Sequence, residues 1–266
     1  MRRVIISGGG TGGHIYPAIT IAEAIKATEP TEILYVGSKT GLENTLIPKQ
    51  GYNFVTLDVR GLERNLSVRN LVTLGKTAGS LFQAERIIRK FKPQVVIGTG
   101  GFVCGPVLLA ASLSGIPTLI QEQNVIPGVT NTVLARFVNR IALGYEEAAK
   151  RFKQKHKLVF TGNPVRNDIL TVSRSEGLAF FGFDPAKFTL VAAGGSRGAR
   201  SINTAMIKVH EHFKDADDIQ ILHITGDHEY DRVTKQLGSV NYHGFYGKTS
   251  RIIPYSHHMP AVLAAA

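Results

Sequence analysis

Residues Gly8–His14 read GGGTGGH: five glycines, a threonine and a histidine, directly behind the apolar run Val4-Ile5-Ile6. A strand that ends in glycines and turns into a helix points free backbone N–H groups, and the positive end of the helix dipole, at whatever lies above. A histidine at that helix start can take a proton as general base or donate a hydrogen bond to phosphate. From the residues alone both roles for His14 stay open. The spacing Gly8-x-Gly10-x-x-Gly13 fits the dinucleotide fingerprint. That reading needs a carboxylate at the end of the second strand to hold ribose hydroxyls, and there the chain reads Val36-Gly37-Ser38. A nucleoside-triphosphate loop is excluded too, because the Gly-Lys-Ser/Thr ending is missing.

Two further turns repeat the pattern. GTGGFVCGP (Gly98–Pro106) follows the apolar run Val95–Ile97, and GGSRGARS (Gly194–Ser201) follows Thr189–Ala193. One such turn is often only a tight strand-to-helix connection; three in register favour recognition of a diphosphate. Glu122 and Asn124, in QEQN, stand at another strand end, where they would orient sugar hydroxyls or loops. Arg166, just beyond Gly162-Asn163-Pro164, would clamp a diphosphate or form a salt bridge at a domain junction. Cys104 is the single cysteine, which rules out an internal disulfide and a thiolate zinc cluster. His210, His212, His257 and His258 lack a clear third metal ligand and read as surface or capping residues.

These loops need elements to hold them. Short apolar runs at Val4–Ser7, Glu32–Val36, Asn53–Leu57, Gln94–Gly98, Pro117–Ile120, Arg140–Leu143 and Lys157–Thr161 predict strands, with helical spacing between them. Runs continuous in Val, Ile and Leu indicate a parallel sheet covered on both faces. After residue 162 the rhythm restarts, with strands expected at Thr189–Ala193, Ile219–Thr225 and Asn241–Phe245. The expected fold is α/β, with two Rossmann-like doubly wound domains, residues 1–162 and 163–266, and ligands at the carboxyl ends of the strands and between the domains. The second unit is the smaller, and HHMPAVLAAA reads as stopping in mid-helix, so it is expected to be incomplete.

With 43% hydrophobic residues and a formal charge of +11, the composition is that of an ordinary globular chain with a taste for polyanions. No apolar stretch is long enough for a membrane span or a secretory signal, which predicts a cytoplasmic location. Tryptophan is absent and no tract interleaves Lys/Arg with aromatics, which argues against nucleic acid.

Taken together and in this order, GGGTGGHIYPA, GTGGFVCGP, QEQN, GNPVR and GGSRGARSIN resemble the MurG family of bacterial peptidoglycan glycosyltransferases. The resemblance runs from residue 1 to 266. It implies a GT-B fold, an inverting mechanism without an essential metal or other cofactor, UDP-N-acetylglucosamine as donor and undecaprenyl-diphosphate-linked muramyl pentapeptide as acceptor. It makes His14 the favoured general base. It further implies that Gly10, Gly12, Thr99, Gly100 and Gly101 face the acceptor diphosphate, and that Thr11, Gly13, Asn124, Arg166, Ser196, Asn203 and Ser256 serve the donor. Leaving-group charge on the diphosphate would then be met by helix amino-termini and Arg166.

The lipid acceptor gives the basic charge a destination. Between Arg69 and Lys90, Leu71, Leu74, Leu81 and Phe82 mix with Lys76, Arg86 and Arg89, as expected of a helix on an anionic bilayer. A core-packed amphipathic helix is the alternative, and the better one without the resemblance. With it, peripheral binding at the cytoplasmic face of the membrane is expected. Family members continue past the position matching residue 266, with further donor-binding residues. Other readings are a different two-domain sugar-nucleotide enzyme such as an epimerase or lipid glycosyltransferase, or a non-catalytic membrane module.

Overall fold

The computed structural model describes residues 1–59, 68–195, 198–238 and 240–266, with side chains in the helix that opens at residue 68 described from residue 79 onward. The chain divides into two compact units, Met1–Val165 and Arg166–Ala266.

Unit 1 alternates strand and helix: β1 (Arg2–Ser7), α1 (Gly12–Thr28), β2 (Thr31–Ser38), α2 (Glu43–Lys49), β3 (Asn53–Leu57), α3 (Val68–Phe91), β4 (Val95–Gly98), α4 (Cys104–Leu113), β5 (Thr118–Glu122), α5 (Val129–Leu134), β6 (Arg140–Leu143) and β7 (Leu158–Phe160). The strands form one sheet in the order β3-β2-β1-β4-β5-β6-β7, with every pairing parallel. The strand period of two sorts the apolar runs onto opposite faces. Ile5, Leu34, Val36 and Val96 enter one core cluster, while Val4, Ile6, Ile33, Tyr35 and Ile97 enter the other. That two-sided burial is why these strands are apolar at every position rather than at alternate ones.

Unit 2 comprises α6 (Asp168–Thr171), α7 (Arg174–Phe181), β8 (Phe188–Ala193), α8 (Arg200–Phe213), β9 (Ile219–Ile224), α9 (Tyr230–Leu237), β10 (Phe245–Tyr246), β11 (Ser250–Ile253) and α10 (Met259–Ala264). Helix α7 begins at a capping box, in which Ser173 and Glu176 satisfy each other's backbone N–H groups. It ends at Gly182 in the left-handed conformation, φ 69°. Helix α10 lies against it so closely that a Cβ at Gly177 would stand 2.7 Å from the Ala261 carbonyl oxygen.

The sheet order is β10-β11-β9-β8. Here the sequence expectation needs correction. Of Asn241–Phe245 only Phe245 enters a strand, β10: Asn241 Oδ1 accepts from the His243 and Phe245 backbone N–H groups (3.0 and 2.9 Å), which winds the preceding residues into a turn. The strand lies further on, in β11, paired parallel to β9 and antiparallel to β10. Arg251 hid it, since a cation interrupts the apolar run. Its guanidinium stands 5.6 Å from the centroids of both Phe181 and Phe245 and donates to the Phe181 carbonyl at 2.7 Å.

Unit 2 also buries a histidine pair. His210 Nε2 and His223 Nδ1 are 3.0 Å apart, and both residues are fully buried, which corrects the surface reading of His210. Burial lowers both pKa values from 6.5, to about 4 for His210 and about 3 for His223. Unfolded, each ring takes a proton near pH 6.5; folded, each stays neutral until the lower value. The unfolded chain therefore holds more protons between these limits, so the contribution to stability is complete above pH 6.5 and declines as pH falls toward 4. The expected slope is up to about 1.4 kcal/mol per pH unit for each histidine. Thermal melting of unit 2 at pH 7 and pH 5 checks this, with a lower Tm at pH 5; an unchanged Tm contradicts it.

Candidate functional site

Strands β1 and β4 are neighbours at the point where the strand order reverses, the place where parallel sheets of this kind open a crevice at their carboxyl ends. Ser7 pairs with Gly98, so the two glycine loops that follow run edge to edge. The Gly9 N–H donates to the Gly100 carbonyl (3.3 Å), the Thr99 N–H to the Ser7 carbonyl (2.9 Å) and the Thr99 hydroxyl to the His14 carbonyl (2.7 Å). This closeness explains the glycines. A Cβ at Gly8 would collide with the Thr99 hydroxyl, and one at Gly101, where φ is 83°, with the Gly9 carbonyl oxygen.

His14 sits where the loops meet. Its Nδ1 is 3.0 Å from the Gly9 carbonyl oxygen, with Thr11 Oγ1 at 3.3 Å from the same nitrogen. A carbonyl only accepts, so Nδ1 carries a proton, and the neutral tautomer that this bond selects is the one with the lone pair on Nε2. The Nε2 edge faces Gly100, where a Cβ would stand 2.8 Å from His14 Cδ2 and 3.0 Å from Nε2. The ring is half-buried, and Gly10, Thr11 and Gly13 are exposed beside it. Thr11 opens α1 without capping it, and no acid stands in the first turn of α1 or of α4. Both helices thus keep uncompensated positive ends close to a candidate base.

Groups behind the loops hold them still. Tyr35 Oη donates to the Gly8 carbonyl (2.8 Å). The fully buried Glu43 accepts from the Gly10 N–H (3.0 Å) and from both the N–H and hydroxyl of Ser38 (2.9 and 2.6 Å). Cys104 lies 3.0 Å from the Ser7 carbonyl oxygen and 2.9 Å from that of Gly100, and burial pushes its thiol up to about 11. It is therefore a neutral packing group, not a nucleophile. Neither Tyr35 nor Glu43 stood out in the sequence; the nearest signal for Glu43 is the pair Gly37 and Gly41, whose missing side chains make room for its carboxyl.

The QEQN segment serves the same loops. The Glu122 carboxyl is buried and accepts four hydrogen bonds: from Asn124 N and Nδ2 (3.0 Å each), Gly128 N (3.1 Å) and Asn131 Nδ2 (2.9 Å). It orders the loop and leaves Asn124 exposed at its tip. Gln123 Nε2 donates to the Thr99 carbonyl (2.7 Å), tying QEQN to the second glycine loop. Asn163 joins GNPVR to QEQN, accepting from Gln121 Nε2 (3.1 Å) and donating to the Gln123 carbonyl (3.2 Å).

Gly10, Thr11, Gly12, Gly13, His14, Thr99, Gly100 and Gly101 thus share one place in unit 1, with Asn124 reached through Gln123. Thr99 is itself buried, and its hydroxyl and N–H both bond within the loop pair, so it shapes the cradle from behind.

The other sequence candidates belong to unit 2. Arg166 Nε pairs with Asp168 Oδ1 at 3.3 Å, with 24% of its side chain exposed. Ser256 is buried, its Oγ accepting from the His258 N–H (3.2 Å). Ser196 lies outside the described residues. Asn203 needs correction as a direct donor contact: its side chain is fully buried, with Nδ2 donating to the Thr225 carbonyl (2.9 Å) and Oδ1 accepting from His223 Nε2 (3.0 Å). Both ends of the amide are engaged inside the unit.

Comparison with known proteins identifies the family. Residues 4–143 match the glycosyltransferase family 28 N-terminal domain and residues 189–266 the family 28 C-terminal domain. A UDP-N-acetylglucosamine--N-acetylmuramyl-(pentapeptide) pyrophosphoryl-undecaprenol N-acetylglucosamine transferase of Thermoanaerobacter sp. (strain X514) is 48% identical over 266 residues, covering 99% of this chain and 72% of that one. The protein of the same description from Halothermothrix orenii is 46% identical, covering 99% and 71%. Among solved structures, Acinetobacter baumannii MurG matches with a TM-score of 0.68 at 24% identity, over 100% of this chain and 71% of that one. A UDP-GlcNAc 2-epimerase from Neisseria meningitidis bound to UDP-GlcNAc shares the fold, with a TM-score of 0.66 at 12% identity over 99% and 74%. Two family domains in order, nearly half-identical relatives over 99% of this chain and a shared two-domain α/β fold of the GT-B type make this chain a member of glycosyltransferase family 28.

Proposed function

We propose that the chain transfers N-acetylglucosamine from UDP-N-acetylglucosamine to the 4-hydroxyl of undecaprenyl-diphosphate-linked N-acetylmuramyl pentapeptide. The names of its near-half-identical relatives support the reaction, and one observation carries the chemistry: a histidine with a bare Nε2, locked by the Gly9 carbonyl, where two uncapped helix-starting loops meet. His14 Nε2 takes the proton of the muramyl 4-hydroxyl as its oxygen bonds to the anomeric carbon. The bond from that carbon to the UDP phosphate oxygen breaks, the configuration inverts, and the electron pair leaves on the diphosphate. Gly10, Gly12, Gly100 and Gly101 receive the acceptor diphosphate, with Thr99 fixing their spacing. Thr11, Gly13, Asn124, Arg166, Ser196 and Ser256 serve the donor, and Asn203 does so through the loop it holds. Charge developing on the leaving diphosphate meets helix amino-termini and Arg166, which stabilise the transition state more than the ground state.

The acceptor's lipid places the work at the cytoplasmic face of the membrane, with the protein bound peripherally. Among the described residues no helix is long and apolar enough to cross a bilayer. The contact we assign is on α3. Leu71, Leu74 and Lys76 lie where side chains are not described; Leu81 packs against the core, and Phe82 is 69% exposed. Phe82→Ser is therefore expected to weaken binding to anionic vesicles severalfold, measured by sedimentation with and without added salt. Binding equal to wild type would remove Phe82 from the membrane contact.

Calorimetric titration with UDP-N-acetylglucosamine, UDP and NAD tests the substrate class. Saturable binding of the two uridine nucleotides and none of NAD is expected; preference for NAD would overturn the reading.

A further inference from the structure

The buried polar chain in unit 2 has a direction, and its direction can be derived. At one end stands the Thr225 carbonyl, which only accepts, so the atom of Asn203 facing it at 2.9 Å is the amide Nδ2. Asn203 Oδ1 must then accept from His223 Nε2 (3.0 Å), which puts the proton on that nitrogen. Burial keeps this ring neutral, so His223 Nδ1 is bare and accepts from His210 Nε2 (3.0 Å). His210 Nδ1 is bare in turn and accepts from the Ser250 hydroxyl (2.8 Å). With both rings kept neutral by burial, that one carbonyl fixes the direction of four hydrogen bonds and both tautomers. All four side chains are buried.

The ordered end of this chain touches the third glycine loop. Gly198, with φ at 77°, lies against the same Thr225 carbonyl so tightly that a Cβ there would collide with its oxygen and stand 3.4 Å from Asn203 Nδ2. The Gly198 N–H donates to the Gly195 carbonyl (3.0 Å). Thr225 is tied from the other side, its N–H donating to the Ile253 carbonyl (3.1 Å). Strands β9 and β11, helix α8 and Gly198 therefore converge on one residue, Thr225, and the histidine relay spans the interior from β11 to that point. Such a network is worth its burial only when every member is satisfied, and here every ring nitrogen is.

We infer that the relay Ser250–His210–His223–Asn203 positions the third glycine loop for a nucleoside diphosphate, making His210 and His223 positioning residues for donor binding. The inference rests on the proposal that Ser196, Ser256 and, through its loop, Asn203 of unit 2 serve the nucleotide donor. A leucine at position 223 would strand the Asn203 oxygen and the His210 N–H without partners, freeing Asn203 to turn away from Thr225. Glutamine would still offer an N–H toward Asn203 and an oxygen toward His210.

The test measures UDP affinity by calorimetry at pH 7.5, with thermal melting as the check of folding. His223→Leu is expected to weaken UDP binding about tenfold or more, the size of one stranded buried hydrogen bond, and His223→Gln to recover most of it. In wild-type protein, the nitrogen-15 signal of His223 Nε2–H is expected to move as UDP saturates, which a remote packing group would not do. Wild-type affinity in a folded His223→Leu variant, or a His223 signal unmoved by saturating UDP, overturns the inference. The signal decides the matter if the leucine variant does not fold. Absence of UDP binding by the wild type would instead overturn the nucleotide reading beneath it, and the relay's assigned role with it.

Discussion

His14→Ala lowers turnover about 10²–10⁴-fold, the usual consequence of losing a positioned general base. The variant should fold, because the ring is half-buried and its hydrogen bonds, to Gly9 and Thr11, lie at a loop edge. Donor affinity should stay within about twofold of wild type, since the proton is lost from the acceptor hydroxyl during the chemical step and not during donor binding. His14→Gln separates base from spacer: glutamine can still hydrogen-bond the Gly9 carbonyl but has no basic nitrogen, so its rate should fall with that of alanine. A steady-state assay of both variants checks this. Retention of more than about a tenth of the wild-type rate removes His14 as the base.

Gly100→Ala produces the second largest effect without touching a catalytic atom. The new methyl group would stand 2.8 Å from His14 Cδ2 and 3.0 Å from Nε2, nearer than side chains tolerate, and φ at this position is 107°, where residues other than glycine are strained. The imidazole must swing away from the Gly9 carbonyl or the two loops must part. Displacement of a reacting group by about 1 Å costs on the order of 10²-fold in rate, and the expected fall in kcat is of that size. A melting experiment on the same variant should show a loss of about 1–3 kcal/mol of stability, as for other overpacked or strained sites. Unchanged kcat would mean that the ring is not held in the catalytic position by this contact.

The sheet of unit 1 was legible because its central strands β1, β2 and β4, buried on both faces, carry continuous apolar runs, and each glycine loop announces a backbone approach that no side chain permits. What stayed hidden is polar and buried. Glu43, Asn203, His210 and His223 would be read as surface residues from their types alone; each lies inside because the topology brings it partners from far along the chain. Glu43 meets the N–H of Gly10, and Asn203 the carbonyl of Thr225. Hydropathy patterning carries no record of such pairs, since the desolvation of a polar group is offset only by a partner that sequence separation conceals. Strand β11 was missed for a related reason, the charge of Arg251 being accommodated by two aromatic rings and a carbonyl. The Glu122 carboxyl was recognised as a strand-end group, but whether it faced sugar or loop depended on four donors that only the folded chain assembles.

The most direct measurement of the central claim is transfer of labelled N-acetylglucosamine from the UDP-sugar to lipid-linked muramyl pentapeptide in detergent micelles, catalysed by this protein. The account predicts formation of the lipid-linked disaccharide with release of one UDP per disaccharide, abolished by His14→Ala. Conversion of the UDP-sugar to its 2-epimer, or release of UDP without label appearing in the lipid, would contradict it.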